Sequence, residues 1–288
     1  MQEFKTVRHK RLSGVGLIFS ARRESLHFDK RKPLALILLL LRNARENKRE
    51  YRGVGKWRTL NIWSYATTRF ATQHNVGFID DANFQHAYDK AVAAAGDDWW
   101  NVGLHFRLHQ AIWCASHAMY LKGDFVELGT GRGMTMSAVL EALPGWGQSG
   151  KRLFLCDTFR PYGVDSTTGE QAPSVGINPI YAENLERVKE TFRESQNVHF
   201  VEGLLPNSLE RLGAAEISFL HVDLNSAEPE VRSLEILWPR LVSGALVLLD
   251  DYAYVGSESQ YSAMNRFAES RNVKILTFAT GQGLLIKP

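Results

Sequence analysis

Cysteine is nearly absent from this chain: Cys114 and Cys156 are the only two in 288 residues, and both stand inside apolar stretches. Two such residues cannot build a disulfide framework or a paired CxxC metal knuckle, which argues against a small secreted scaffold and for a reducing, cytoplasmic setting. Long apolar runs are also missing. The longest, "LALILLLL" from Leu34 to Leu41, is far short of the roughly 18 residues that cross a bilayer. It also lies too deep, and lacks the small-residue cleavage site, for a secretory signal; it reads as a buried helix. No internal repeat or low-complexity tract is present. With 44% apolar and 23% charged residues and a formal net charge of +3, the chain has the make-up of one generous globular domain, or of one domain with an appendage.

That small net charge hides an uneven spread. The first 60 residues hold roughly 16 Lys/Arg against 5 Asp/Glu, about +11, and leave about −8 for the rest. "RHKRL", "DKRKP" and "RENKREYR" carry most of it. A basic arm of this kind can meet nucleic acid or an anionic membrane face. No aromatic-interleaved nucleic-acid motif accompanies it, so a solvated helical extension, packed on its own domain or on a sister subunit of a homo-oligomer, is the reading preferred. The chain therefore divides into a basic N-terminal extension, 1–80, and a main domain, 81–288.

A helical stretch with apolar residues at three- and four-residue spacing leads into the main domain. His105, His109 and His117 lie along it with no carboxylate or cysteine nearby in sequence, and read as packed or surface residues rather than metal ligands. From Asp124 onward strands and helices alternate: "DFVELG", "KRLFLCDTF", "NVHFVEG", "EISFLHVDL", "GALVLLDDY", "VKILTFA" and "GLLIKP" are the strands. Helices between strands make right-handed crossovers and a parallel sheet. "ATGQG" is too short for a crossover, so the last two strands predict an antiparallel hairpin. The outcome is an α/β fold with a seven-stranded, mostly parallel Rossmann-like sheet. Its terminal hairpin is the mark of the S-adenosylmethionine (SAM) methyltransferase variant.

The first strand ends in "ELGTGRGM". The NAD fingerprint wants glycines at first, third and sixth positions; here Gly129, Gly131 and Gly133 alternate and Met134 holds the sixth. That spacing and the hairpin count against an NAD(P)-dependent oxidoreductase, the alternative enzyme class. Alternating glycines still let a ligand approach bare backbone, with Thr130 in the same loop. Glu127 stands where a cofactor's amino group wants a carboxylate. Asp157 ends the second strand, placed for two ribose hydroxyls, and Glu202 ends the third, placed for an adenine edge.

Asp223 ends the fourth strand and the adjacent Asp250 and Asp251 end the fifth. Like charges gathered at neighbouring strand tips repel unless something positive joins them. A hard divalent ion such as Mg²⁺, bound through oxygen, resolves the conflict; a helix cap and an ordinary ion pair are the plainer alternative.

"DFVELGTGRGMTMSAVL", "FLCDTFRPYG" and "FLHVDLNSAEPEVRSLEILWPRLVSGALVLLDDYAYVG" resemble the macrocin O-methyltransferase family of class I, metal-dependent SAM enzymes, over about residues 82–288. The resemblance implies that Glu127, Gly129, Gly131 and Asp157 hold SAM, that Asp223, Asp250 and Asp251 hold Mg²⁺, and that the acceptor is a hydroxyl of a sugar or other diol. The family's pattern after the fourth strand is D-x-D, with the second aspartate as proposed base. Here that position is Asn225, which takes no proton at neutral pH. Metal binding can acidify the hydroxyl instead, or His221 can serve, two and four residues before Asp223 and Asn225 and so on their side of a strand; a packed strand residue is the plainer and preferred reading of His221. The two dozen residues of "RPYGVDSTTGEQAPSVGINPIYAE" are too long for an ordinary connection and predict a lid over the acceptor.

Overall fold

A computed structural model describes residues 74–96, 104–160 and 185–288, with two short antiparallel strand pairs, Tyr65–Ala66 with Ala71–Thr72 and Gly163–Val164 with Gln171–Ala172. The chain divides into two units, Met1–Ile62 and Trp63–Pro288, where the sequence placed a division at residue 80. The basic arm, the Leu34–Leu41 run and most of the expected lid lie outside the described residues. No helix among the described residues is long and apolar enough to cross a membrane.

Seven strands form the central sheet: β1 (Asp124–Leu128), β2 (Leu153–Asp157), β3 (Val198–Glu202), β4 (Ile217–Val222), β5 (Leu241–Leu249), β6 (Leu276–Thr277) and β7 (Gly283–Ile286). Their order across the sheet is β6-β7-β5-β4-β1-β2-β3. The pairs β1–β2, β2–β3, β1–β4 and β4–β5 are parallel, whereas β7 runs antiparallel to both β5 and β6. The expected reversed hairpin is therefore present, although its first strand spans only two residues.

The helices are α1 (Ala82–Ala95), α2 (His105–Ala118), α3 (Met134–Ala142), α4 (Leu185–Thr191), α5 (Ala227–Leu237) and α6 (Glu258–Ser270). Helix α1 starts where the Asp81 side chain accepts the Phe84 N–H at 2.9 Å, satisfying one orphan donor of the first turn. Strands β1 and β4 are buried at every position, as expected when helices cover both faces of a parallel sheet. Alternate residues divide between two cores. Val126, Leu128, Leu220 and Val222 pack with Leu234 and Leu237 of α5 and with Met264 and Phe267 of α6. Phe125, Leu153, Phe219 and Leu248 pack with Ala111 and Cys114 of α2 and with Met136 and Val139 of α3. Each fully buried Leu or Phe contributes about 1.5–3 kcal/mol, before the entropy of ordering it is subtracted.

The connection from β1 to α3 is what places the site. Gly129 has φ +85°, and a Cβ there would lie 1.9 Å from the Asp223 carbonyl oxygen. Only glycine lets this loop close against the tip of β4. The strand tips continue their lateral bonding just past the strands: Gly129 N–H donates to Cys156 O at 2.9 Å, Asp223 N–H to Leu128 O at 2.8 Å, and Asp250 N–H to Val222 O at 2.9 Å. Four carboxyl ends, those of β2, β1, β4 and β5, are thereby held level on one edge of the sheet.

Candidate active site

Glu127, on β1, is 1% exposed. Its Oε1 lies 3.0 Å from His221 Nδ1. The Thr130 hydroxyl is close enough to favour the charged form, yet no hydrogen bond of normal geometry reaches Oε2 among the described residues. Burial pushes this carboxyl up, and His221 restrains the rise. Asp157 accepts from Gly131 N–H at 2.9 Å and from Phe159 N–H at 3.0 Å, which ties the glycine loop to the tip of β2. A Cβ on Gly131 would meet nothing within 4 Å, so the loop faces open space. Glu202, at the end of β3, pairs with Arg160 at 2.7 Å and is partly exposed. The residues assigned to the cofactor from sequence thus occupy three adjacent strand tips. A buried carboxylate oxygen without a partner, beside a glycine loop facing open space, fits the ammonium end of SAM.

The acidic tip differs from its sequence reading. Arg107, in the first turn of α2, donates through Nη2 to Asp250 Oδ2, to Asp251 Oδ1 at 2.9 Å and to the Asp250 carbonyl at 2.8 Å. Its guanidinium lies 5.4 Å from the centre of the Tyr254 ring. Gln282, which precedes β7, donates to Asp250 Oδ1 at 2.7 Å, and His221 Nε2 stands 3.6 Å from the same oxygen. Burial alone would raise the Asp250 carboxyl; Arg107, His221 and Gln282 outweigh it and hold it well below the usual range. Asp223 lacks such partners. Burial, Asp250 and Asp251 push it well above the ordinary value, while His221 and Arg107 pull the other way. Burial and Asp250 also raise Asp251.

The open carboxylate cage expected for Mg²⁺ is not what forms. Among the described residues no group of three or more His, Cys, Asp or Glu side chains is arranged to hold a metal ion. As folded, the tip does not fit one, because a guanidinium already joins Asp250 to Asp251.

His221 is the packed strand residue of its plainer reading and does not suit the alternative role of base. It is 0% exposed, and both ring nitrogens face carboxylates. Burial would lower the imidazolium, but Asp250 and Glu127 outweigh it and raise its pKa to about 10. A charged ring between two carboxylates has no lone pair free for a substrate proton. Nor do the three residues share a strand face. Strand β4 ends at Val222, and Asn225 takes a left-handed φ of 56° with its amide donating to Asp223 Oδ1 at 3.1 Å.

Of the three histidines along the α2 helix, His105 and His109 are partly buried and His117 lies at the surface. His105 stacks on Tyr88 at 4.0 Å, His109 on Phe78 at 4.1 Å, and the His117 ring lies 3.9 Å from Trp113. Sequence reasoning passed over Arg107 and Gln282. An arginine among helix residues and a glutamine in a hairpin carry no local mark of their partners.

Glu230 of α5 supports the tip from behind. It is 4% exposed, and its Oε1 accepts from Leu224 N–H at 3.3 Å and Gln260 Nε2 at 3.2 Å. Burial raises its pKa from 4.5 to about 7, with those donors opposing. Folding therefore takes up a proton between those values, and stability falls as pH rises through the window. The penalty is fully present above pH 7 and amounts to about 3 kcal/mol. Glu230→Gln is expected to remove it. Urea unfolding between pH 5 and 8 should show the wild type losing about 2–3 kcal/mol more than the variant; parallel profiles would count against the assignment.

Comparison with known proteins agrees with this architecture. The chain matches the macrocin O-methyltransferase (TylF) family over residues 39–277, reaching further toward the N-terminus than the motifs that first suggested it. The 8-demethyl-8-(2,3-dimethoxy-alpha-L-rhamnosyl)-tetracenomycin-C 4'-O-methyltransferase of Streptomyces olivaceus is 28% identical over 173 residues. That match covers 55% of this chain and 66% of the relative, just under two thirds of its length. Among solved structures, the O-methyltransferase NovP superposes with a TM-score of 0.52 at 19% identity, over 63% of this chain and 79% of its own. CalS11, a calicheamicin methyltransferase, gives 0.51 at 15% identity, over 81% and 98%. At these identities the structures speak for the fold. The family match, which takes in β1 through β6 and all the strand tips described above, decides the rest: the chain belongs to the macrocin O-methyltransferase family of class I SAM-dependent O-methyltransferases.

Proposed function

We propose that this chain transfers the methyl group of SAM to a hydroxyl of a sugar or sugar-bearing small molecule. The observation that carries the reading is Glu127: a buried carboxylate whose Oε2 has no hydrogen-bond partner among the described residues, beside a glycine loop open to a ligand. The relative that methylates a rhamnosyl-bearing compound supports a sugar acceptor. Family membership, with Met134 in place of the sixth-position glycine, removes the NAD(P) alternative.

Bound SAM supplies an electrophilic methyl: the acceptor oxygen's lone pair forms the new C–O bond while the C–S pair returns to sulfur. Within the chain, Glu127 would hold the ammonium end, Gly129, Thr130 and Gly131 would line the approach, and Asp157 and Glu202, at the next two strand tips, would meet the ribose and the adenine. Because the donor is already activated, placing the hydroxyl is the protein's main task. The hydroxyl proton needs an acceptor. Asn225 lacks the chemistry and His221 the free nitrogen, which leaves Asp223, whose affinity for a proton is raised by burial and by its acidic neighbours. Asp223, Asp250 and Asp251 are also the oxygen donors that Mg²⁺ would use, provided Arg107 gives up its two aspartates.

The test is methyl transfer from radiolabelled SAM to three acceptor sets: rhamnosylated aglycones, nucleotide-linked deoxysugars and catechols. Label on a sugar hydroxyl, located by mass spectrometry, is the expected result. SAM binding without transfer to any hydroxyl would overturn the acceptor class, and absence of SAM binding would overturn the whole reading.

A further inference from the structure

The oxygens of Asp250 are all in use. Oδ2 accepts from Arg107, and Oδ1 accepts from Gln282 at 2.7 Å with His221 Nε2 at 3.6 Å. Asp251 Oδ1 accepts from the same guanidinium at 2.9 Å. A divalent ion cannot be added to this arrangement. It has to exchange with something, and Arg107 is the only cation that touches both aspartates among the described residues. The guanidinium cannot shed its charge to make room, because no accessible pH deprotonates it. Nor can it stay beside a metal taking the same two oxygens, since two positive groups would then share one short contact.

Charge counting shows why an exchange is open at all. Glu127, Asp223, Asp250 and Asp251 form one electrostatic group with His221 and Arg107. Four ionised carboxylates against two cations would leave a surplus of negative charge, and the crowding shows in the raised proton affinity of Asp223 beside Asp250 and Asp251. A divalent ion replacing Arg107 removes more of that surplus than Arg107 does.

We infer that Arg107 and a divalent cation are mutually exclusive partners of Asp250 and Asp251, so that Arg107 sets how tightly, and whether, this site takes a metal. Arg107 is then a positioning residue: it keeps the two aspartates together and charged, and it restricts metal entry. The inference deepens the functional reading above and rests on its placing of the acceptor at this tip.

The experiment needs no turnover. Mn²⁺ is titrated into wild type, Arg107→Gln and Arg107→Lys, and free Mn²⁺ is followed by electron paramagnetic resonance. Arg107→Gln removes the charge and is expected to bind Mn²⁺ at least about tenfold more tightly than wild type, with Arg107→Lys between them. Equal or weaker binding by a folded Arg107→Gln would overturn the inference, as would absence of binding in all three proteins. Should Arg107→Gln fail to fold, arginine-¹⁵N-labelled wild type gives the same answer. As Mg²⁺ binds, the Arg107 Nε–Hε resonance is expected to leave its carboxylate-bonded position. A resonance that stays put while Mg²⁺ binds, or a protein that binds no Mg²⁺, would overturn the proposal. SAM calorimetry on the same samples reports separately on the methyltransferase reading.

Discussion

Glu127→Gln is expected to weaken SAM binding by about 100- to 1,000-fold, or roughly 3–4 kcal/mol. Glu127 already spends Oε1 on His221 and keeps Oε2 buried without a partner among the described residues. Leaving a buried carboxylate oxygen unbonded is costly, and the ammonium of SAM would relieve it with a charge-assisted bond. Glutamine keeps the shape and loses the charge, so the variant should fold while its calorimetric Kd rises. A Kd within threefold of wild type would show that Glu127 serves the fold alone. The same substitution leaves His221 with one carboxylate in place of two, so its unfolding should be followed alongside.

The second large effect is expected at His221. Replacing it with leucine leaves Glu127 and Asp250 as buried carboxylates without their shared cation. Breaking such a pair typically costs about 3–5 kcal/mol. The pH profile separates lost charge from lost packing. In wild type the His221 pKa rises from 6.5 to about 10 on folding, so its stabilisation is complete below 6.5 and fades as pH climbs through 10. Wild type should therefore lose several kcal/mol between pH 6.5 and 9.5 in urea titrations, and His221→Leu should lack most of that slope. Identical slopes would mean that the ring is neutral in the folded protein.

Much of the fold could be read along the chain because the signals were local. Alternation of strands and helices, glycines spaced by two after "DFVEL", acids at successive strand ends and the short "ATGQG" link each depend on a few adjacent residues. The content of the acidic tip could not. Arg107 meets Asp250 across 143 positions of sequence, from a helix whose arginine looks like any surface residue, and Gln282 reaches the tip from the hairpin. The alignment of His221 with Asp223 and Asn225 on one side of a strand failed for another reason. The alternation rule was carried past Val222, where the strand stops, to an asparagine whose backbone is left-handed. Period-two reasoning holds only while the backbone stays extended. The carboxylates were visible as acids, but whether each is bare, bridged or protonated depends on partners that no short window contains.

The contact between Gly129 and the Asp223 carbonyl has a consequence for how such a protein can diverge. The glycine loop and the tip of β4 meet backbone to backbone there, with only the end of the Leu224 side chain beside them, so neither can be reshaped by a point substitution without disturbing the other.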